Sequence, residues 1–597
     1  MKNFRVCLIA MPFIGVESPS HAIGLLKRYF QDSGAECDCL YLNLTLAAEL
    51  GLDTYNEVSE ESAAPSGNLC FAKAAYGNAV PELEEGTIHY RLQDKCAEFI
   101  EACVRRYNWA SYHVVGFTTA MSVSTTASIA LARRIKEEYG TLIAIGGTAM
   151  FFGAGEEYAK LPWLDYVFTS HMDHQSISEF INAVQGLGSL GSIAGLCYKE
   201  GSELRKGPVP PLSDMDKVPV PDYTDYFRQI RSMPFVEEPA FTDSLLSGWI
   251  YAELGRGCFY GDRQTCSFCS EVDTSLSTHR SLEAGVRYLQ ELAFKYPNTK
   301  RIFLTDPLIS RQTQRKILPE WNKRRPRSQL YFAEVKPWMS RGEIRELADC
   351  GVTSVQCGIE SLHPKIIKLL RKGQKSHTCI TALKWFKTFG IEVFWNFLIQ
   401  VPGEDQLSYF DMAQIIPMLR HLPKPTGTAY PVHITKGSPY WKERRQWRFA
   451  NLRPHRTYQY IIPNYLDQEI LSYAWEYDVE GTSCFDVSQP GHMALQKELE
   501  AWLAGNYTLQ LQGNVITDSR DGHDKTLVLT DEERALLIFC DSPRNADQLT
   551  RFSSQALESL LNLGVIMISE HKFLELPIIS DEEMEGNETP PFATAAH

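Results

Sequence analysis

The amino-acid sequence predicts an α/β protein built from a doubly wound parallel sheet, a partial (β/α)6 barrel and a small C-terminal α+β module. Three observations lead there. Apolar runs of strand length alternate with stretches of helical spacing in the first 190 residues, and again between 248 and 450. A proline-rich stretch separates the two series. At 597 residues the chain is also too long for a single core. The expected domains are 1–190, a connector over 191–247, the barrel at 248–450, a C-terminal domain at 451–579 and an acidic, disordered tail at 580–597.

The first domain opens with Val6–Pro12, an apolar run of the kind buried in parallel sheets. Ser20–Gln31 carries helical spacing, with Gly34 as its stop, and Cys37–Asn43 is the second strand. Residues 44–110 read as an insertion with a helix near Asp94–Tyr107. The alternation then resumes, with strands at His113–Thr118, Leu142–Gly146 and Asp165–Thr169, and helices at Ser124–Tyr139 and Ser176–Gln185. This is a Rossmann-like order, and such sheets bind ligands beyond the carboxyl ends of their strands. The residues there are Thr118, Thr119, Ala120, Met121 and Ser122, then Gly146, Gly147 and Thr148, then His171 and Met172. Small and hydroxyl side chains at these places let backbone approach a large flat ligand and supply hydrogen bonds. A plain nucleotide-type domain is the competing reading. No G-x-G-x-x-G follows the first strand, which argues against a dinucleotide.

The connector holds Pro208, Pro210, Pro211, Pro219, Pro221, Pro234 and Pro239. Beyond it, the strand-like run Trp249–Leu254 leads into Cys258, Cys266 and Cys269 at C-x7-C-x2-C spacing. Three thiolates on one loop can hold three irons of a 4Fe-4S cluster and leave the fourth open to a small chelating ligand. The same three with His279 also match a zinc site. Further strands are expected at Arg301–Thr305, Leu330–Glu334, Ser354–Gly358, Glu392–Ile399 and Thr428–Ile434, with helices such as Ser281–Phe294 and Arg341–Cys350 between them. Barrel chemistry sits at the carboxyl ends of strands. Asp306, Glu334, Lys336, Glu360 and Asn396 are the polar residues there. Each alone also fits a structural role, as a helix cap or a strand-end ion pair; together on one face they suit the hydroxyls, amine and carboxylate of a polar ligand.

These motifs resemble a known family. Arg256-Gly257-Cys258, Cys266-x-Phe268-Cys269, His279-Arg280-Ser281, Glu334-Val335-Lys336, Gly358-Ile359-Glu360-Ser361-Leu362, Arg371-Lys372-Gly373, Trp395-Asn396 and Pro402-Gly403-Glu404 look like the cobalamin-dependent radical S-adenosylmethionine (SAM) enzymes that mature ribosomally made peptides (RiPPs). The longer first cysteine spacing is a mark of that subfamily. The resemblance implies a 4Fe-4S cluster on Cys258, Cys266 and Cys269, and SAM held by it, with Phe268 near the adenine. It implies an external one-electron donor of flavodoxin or ferredoxin type, a precursor-peptide substrate, and C-methyltransferase activity. The first domain is similar to the cobalamin-binding domain that precedes many such cores, on the strength of Gly146-Gly147 and the loop 118–124. His171 and His174 do not stand in a D-x-H-x-x-G motif, so the resemblance implies cobalamin bound base-off with no histidine on cobalt. The sequence departs from the family pattern at Ser270 after the last cysteine, at Phe259-Tyr260, and at Thr435-Lys436-Gly437, a stretch expected to line the substrate cavity. The competing functions are a radical SAM enzyme of another type (epimerisation, cyclisation, small-molecule or lipid methylation) and a non-catalytic cobalamin or redox sensor.

Composition bounds the rest. A net charge of −14 argues against nucleic acid and anionic membrane as partners. No apolar run reaches the length of a membrane span, no signal peptide opens the chain, and most of the 15 cysteines lie singly in apolar runs. A reduced, cytoplasmic enzyme is expected. The stretch 451–525 is rich in tyrosine and tryptophan (Tyr458, Tyr460, Tyr465, Tyr473, Trp475, Tyr477) without a motif. A capping box at Thr530 and Glu533 opens a helix to Cys540, a second helix fits Ser554–Asn562, and Val565–Ser569 with Phe573–Leu576 form a hairpin. That order is winged-helix-like, and suits leader-peptide docking or a structural cap.

Overall fold

The computed structural model describes residues 4–59, 66–119, 123–242, 248–270, 276–447, 452–455, 457–463, 476–479 and 489–585. The chain divides into two compact units. The first comprises Met1–Ala252, Arg287–Ile302 and His433–Glu480; the second comprises Glu253–Val286, Phe303–Val432 and Gly481–His597.

The first unit is built on a seven-stranded sheet. Its strands are β1 (Arg5–Ala10), β2 (Glu36–Tyr41), β3 (Val114–Thr118), β4 (Leu142–Gly146), β5 (Tyr166–Phe168), β6 (Leu196–Glu200) and β7 (Glu203–Lys206), in the order 2-1-3-4-5-6-7. The first five pair in parallel. β1 and β3 are almost wholly buried, which explains why their sequences run apolar without alternation. Helix His21–Asp32 is capped by Ser20, whose hydroxyl accepts the Ile23 N–H. The region read as an insertion is mostly helical: Leu42–Leu50, Leu52–Ser59, Ala72–Tyr76 and Ile88–Arg106. The last of these begins six residues before the expected Asp94, because Thr87 caps it there.

Two expectations need correction. The segment 191–247 is not an extended connector throughout. Its first part forms β6 and β7, which pair antiparallel and complete the sheet. Helix Thr224–Ile230 is also anchored: Lys27 Nζ meets Asp225 at 2.8 Å and Asp222 at 3.4 Å, and Gln229 bonds the backbone of β2 at Cys39 and Tyr41. A lysine buried on the first helix needs such carboxylates, and they come from the proline-rich stretch. Likewise the tail is ordered as far as helix Asp581–Glu585, where Glu583 accepts from Gly513 and Arg534.

In the second unit, β9 (Gly255–Arg256) and β10 (Thr278–His279) pair antiparallel and close the loop that carries the cysteines. β8 (Trp249–Ala252) precedes that loop in the chain. β11 (Arg301–Leu304) follows in the chain, and β12 (Leu330–Val335), β13 (Val352–Cys357) and β14 (Glu392–Phe394) pair in parallel. The strand expected over Glu392–Ile399 is split. After β14 the chain leaves the sheet at Trp395-Asn396, and β15 (Leu398–Ile399) pairs instead with β16 (Tyr430–Pro431). At the C-terminal end, helices Asp531–Phe539 and Ser554–Asn562 and the hairpin β17 (Ile566–Ser569) with β18 (Lys572–Glu575) match the winged-helix-like order. An additional antiparallel set, Leu509–Gln512, Val515–Asp518 and Lys525–Val528, precedes them.

Candidate active site

The cysteine loop is moored at both ends and in the middle. Gly257 has φ +74°, and a Cβ there would come within 3.2 Å of the Ser277 backbone, so the entry to Cys258 requires glycine. Asp262 and Gln264 donate their N–H groups to the carbonyls of Cys258 and Tyr260. This turn takes up the extra residues between the first two cysteines. Asp262 in turn accepts the Ser277 N–H at 2.9 Å. A second turn, Cys269 N–H to Cys266 C=O at 3.1 Å, brings the last two cysteines close. Between them Ser267 is buried and bonds the carbonyls of Leu369 and Leu370, and Tyr260 donates to Arg371 C=O at 2.6 Å. The segment 369–373 is thus the floor on which the loop rests.

The three thiols are half-buried, whereas nearly every other described cysteine is fully buried. Among the described residues no three His, Cys, Asp or Glu side chains converge on one point as a single metal ion would require. His279 lies in β10, exposed and paired to Gly255. A four-iron cluster takes its ligands at separate irons, and three thiols spread along one loop fit that donor pattern.

Two lysines flank the thiols. Lys336, at the end of β12, places Nζ 3.7 Å from Cys266 Sγ, over the rings of Tyr260 at 4.5 Å and Trp338 at 5.5 Å. Burial, then the charge of Lys372, holds its pKa below the usual lysine range. Lys372 is buried, pairs with Glu360 at 2.8 Å, and lies 5.4 Å from the centre of the Phe268 ring. Burial opposes its charge, but Glu360 and the cysteine thiols nearby more than compensate, and its pKa is raised. The sequence places Lys336 at the barrel end toward a small-molecule ligand; the structure sets its Nζ beside the Cys266 thiol. The role of Lys372 was not read from the sequence, although its motif was visible.

The other barrel-end residues divide. Glu360 holds a left-handed backbone, φ +62°, at the end of β13. Asn396 keeps its Oδ1 buried without a hydrogen-bond partner, an acceptor left for something the protein does not supply. Glu334 lies half-buried on β12, opposite Gln356. Asp306 is buried, and its Oδ2, like Asn396 Oδ1, has no hydrogen-bond partner. It is 1% exposed and accepts the Leu254 N–H at 2.9 Å, so it fixes the corner that leads into the cysteine loop. Burial, only partly offset by the amides of Leu254 and Gly255, pushes its pKa up to about 7.

In the first unit the strand-end loops of β3, β4 and β5 come together, with Thr118 beside Gly146 and Gly146 beside Phe168. Gly147 has φ +118°, and a Cβ on it would meet the Thr119 backbone at 2.4 Å. Thr119 is fully buried and spends its hydroxyl on Gly146 C=O, so it shapes the loop and is not the donor to a ligand that the sequence suggested. Thr118 is buried too. Gly146, Gly147 and Thr148 open the way to the short turn Thr148–Met150, and His171 is exposed with its ring edge-on to Phe151. Met172 is half-buried, and Ala120, Met121 and Ser122 lie outside the described residues. Two adjacent glycines without side chains at a strand end fit the approach of a broad planar ligand. Lys436 belongs to this same unit. It is buried, with its pKa lowered to about 8 by that burial, while Gly437 lies against the ring of Phe152.

Comparison with known proteins agrees with this arrangement. The model described as the radical SAM superfamily matches residues 253–413 of the chain. The chain is 26% identical over 305 residues to an uncharacterized methyltransferase of Pyrococcus horikoshii, covering 49% of this chain and 61% of that protein. It thus spans less than two thirds of that relative. Its fold is similar to that of OxsB, a cobalamin-dependent SAM radical enzyme solved with aqua-cobalamin, with a TM-score of 0.56 at 13% identity, covering 80% of this chain and 64% of the other. It is equally similar to TsrM of Kitasatospora setae, a radical SAM methyltransferase solved with cobalamin and a 4Fe-4S cluster, with a TM-score of 0.56 at 13% identity, covering 84% and 89%. Among the described residues no helix is long and apolar enough to cross a membrane.

Proposed function

We propose that the chain is a cobalamin-dependent radical SAM methyltransferase that adds a methyl group to an unactivated carbon of a ribosomally synthesised peptide. The observation that carries this reading is the C-x7-C-x2-C loop in the stretch that matches the radical SAM superfamily, in a chain whose other unit presents Gly146 and Gly147 at the ends of a doubly wound sheet. Strands β11 to β16 read as a partial barrel with the candidate ligands at one end. Cys258, Cys266 and Cys269 would hold the cluster, with SAM at its open iron, and the glycine-rich strand ends would hold cobalamin base-off, with no protein histidine on cobalt. Bound there, cluster and SAM supply a radical able to take hydrogen from a strong C–H bond, and cobalamin supplies the methyl group.

The chain's own residues bind, position and shield. Lys336 and Lys372 set two cations beside thiols that carry negative charge when they ligate iron. Asn396 offers a buried acceptor to the amine or the ribose hydroxyls of SAM. Glu360, held in place by Lys372, offers a second. The peptide substrate rests on the motif resemblance, and the name of the Pyrococcus relative supports methyl transfer.

The test uses anaerobically reconstituted protein, a candidate precursor peptide and SAM with a deuterated methyl group. The expected product is heavier by one CD3, with deoxyadenosine and S-adenosylhomocysteine formed in equal amounts. Deoxyadenosine without label transfer would remove methylation and leave a radical SAM enzyme of another reaction type.

A further inference from the structure

The helix Ser376–Thr388 starts without a cap from its own N-cap residue. Lys375 stands at that position and makes no side-chain cap bond, since an ammonium has no acceptor to offer. The acceptor comes from another part of the same unit. Glu570, at the tip of the β17–β18 hairpin, takes the Ser376 N–H on Oε2 at 2.8 Å. Its Oε1 lies 3.3 Å from Lys375 Nζ, and its Oε2 lies 3.6 Å from His377 Nδ1. A carboxylate here also suits the positive end of the helix.

The tip adopts an uncommon backbone to make this contact. Glu570 and His571 hold φ +49° and +64°, the left-handed pair that a two-residue hairpin turn demands. Asn-Gly or Asp-Gly is the usual pair there, because residues with larger side chains resist the conformation. The turn gives up that preference and presents a carboxylate.

What the tip holds leads directly to the thiols. Ser376 follows Arg371-Lys372-Gly373-Gln374 in the chain. Leu369, Leu370 and Arg371 give their carbonyls to Ser267 and Tyr260 of the cysteine loop. Arg371 and Gly373 are left-handed, at φ +53° and +70°, and a Cβ on Gly373 would come within 2.5 Å of Tyr260 Oη. Lys372, between them, pairs with Glu360 at 2.8 Å and lies 5.4 Å from the ring of Phe268, which stands between Cys266 and Cys269. Gln374 Nε2 donates to Ile359 C=O at 2.6 Å. Helix Pro364–Leu369 anchors this segment upstream, and Glu570 anchors it downstream.

We infer that Glu570 is a positioning residue for the cysteine loop: by fixing Ser376 from the hairpin tip, it holds Lys372 beside the candidate cluster ligands Cys266 and Cys269. The inference rests on the cluster reading above and adds the C-terminal hairpin to the machinery of the site. A cation beside thiolates that ligate iron favours the reduced, more negative cluster, because net charge near the sulfurs sets the potential. Loss of the anchor therefore lowers the reduction potential. Removal of a carboxylate acting only through its own charge would raise it, so the two roles differ in sign.

The experiment uses the full chain, apo and reconstituted with iron and sulfide, as wild type and as Glu570→Ala, Glu570→Gln, Glu570→Asp and Lys372→Met. In the apo chain, hydrogen–deuterium exchange of amides 369–376 should be about tenfold faster in Glu570→Ala. In the reconstituted chain the iron content should be kept. Redox titration followed by electron paramagnetic resonance should put the Glu570→Ala midpoint about 59 mV lower, a tenfold change in a one-electron equilibrium. Glu570→Gln keeps an acceptor for the Ser376 N–H and should not fall below wild type. Glu570→Asp, a milder change with the charge kept but the reach shortened, should give a smaller fall, and Lys372→Met a fall in the same sense. A midpoint that is unchanged or raised in Glu570→Ala and Glu570→Asp would overturn the inference, as would faster exchange confined to 566–575. A wild-type chain that takes up no iron would instead overturn the cluster reading, while the exchange of the apo chain still judges the anchor.

Discussion

At the scale of the residue, Asp306 shows how a buried side chain can fix the corner that leads into a site. A buried carboxylic acid whose pKa is raised to about 7 binds a proton more tightly folded than unfolded. Between the unfolded value near 4 and about 7, the folded state therefore holds more protons, and stability from this group is lost as pH rises through that window. The slope approaches about 1.4 kcal/mol per pH unit in its middle. Asp306→Asn keeps an acceptor for Leu254 N–H and removes the titration. Urea midpoints of the variant should fall less than those of the wild type between pH 5 and pH 7; parallel curves would show that Asp306 is ionised throughout. The sequence placed Asp306 on a strand end but could not say which way it points. The direction depends on β9 turning back at Gly255, where a Cβ would meet Asp306 Oδ2 at 3.0 Å, and on the Leu254 N–H that Asp306 accepts. Lys336 is a similar case. Its place at the end of β12 was legible, but its partner depended on the shape of a loop with an unusual cysteine spacing.

At the scale of the element, helix Ser376–Thr388 carries a buried cation that ties it to the C-terminal hairpin. Lys384 donates to Asp541 C=O at 2.9 Å, to Asp541 Oδ1 at 3.1 Å and to Glu575 Oε1. Asp541 also takes Arg341 at 2.9 Å and Trp385 Nε1 at 3.0 Å. The carboxylates have no water to fall back on, so removing the lysine leaves them uncompensated. Lys384→Met should cost about 3–5 kcal/mol in denaturant unfolding. A loss below about 1 kcal/mol would mean that Arg341 alone satisfies Asp541 and that Glu575 is protonated. The two helices and the hairpin were readable from the sequence, since the Thr530 capping box and Gly564 mark their ends. The preceding hairpin was missed, although Leu509 and Leu511 alternate with glutamines ahead of Gly513-Asn514, a turn signal between two short strands. The split of β14 from β15 could not be read, because Trp395-Asn396-Phe397 continues an apolar run in which nothing marks a break.

At the scale of the whole molecule, the alternation of strands and helices was legible because parallel strands are buried on both faces and must run apolar. The units themselves were not legible. Each draws on three separate stretches of the chain, and sequence reading assigns domains as continuous blocks. If the loop holds the proposed cluster, loading with iron and sulfide adds a ligand to the folded state and should raise the melting temperature of the full chain. Differential scanning calorimetry of apo and reconstituted protein tests this. A variant with Cys258, Cys266 and Cys269 all changed to alanine should show no rise, and a rise of equal size in that variant would place the iron elsewhere.

The hairpin that completes the first unit's sheet has a further consequence, for how the molecule behaves in company. β5, with Tyr166, Val167 and Phe168 all buried, would otherwise be an open apolar border, the kind that recruits strands from neighbouring molecules. Instead the sheet ends in β7, where Glu203, Arg205 and Lys206 are exposed, and at its other border β2 sets Glu36 and Asp38 against Arg5. A second chain could extend this sheet at either border only by burying those charges. The hairpin that precedes the proline-rich stretch is thus a guard against aggregation.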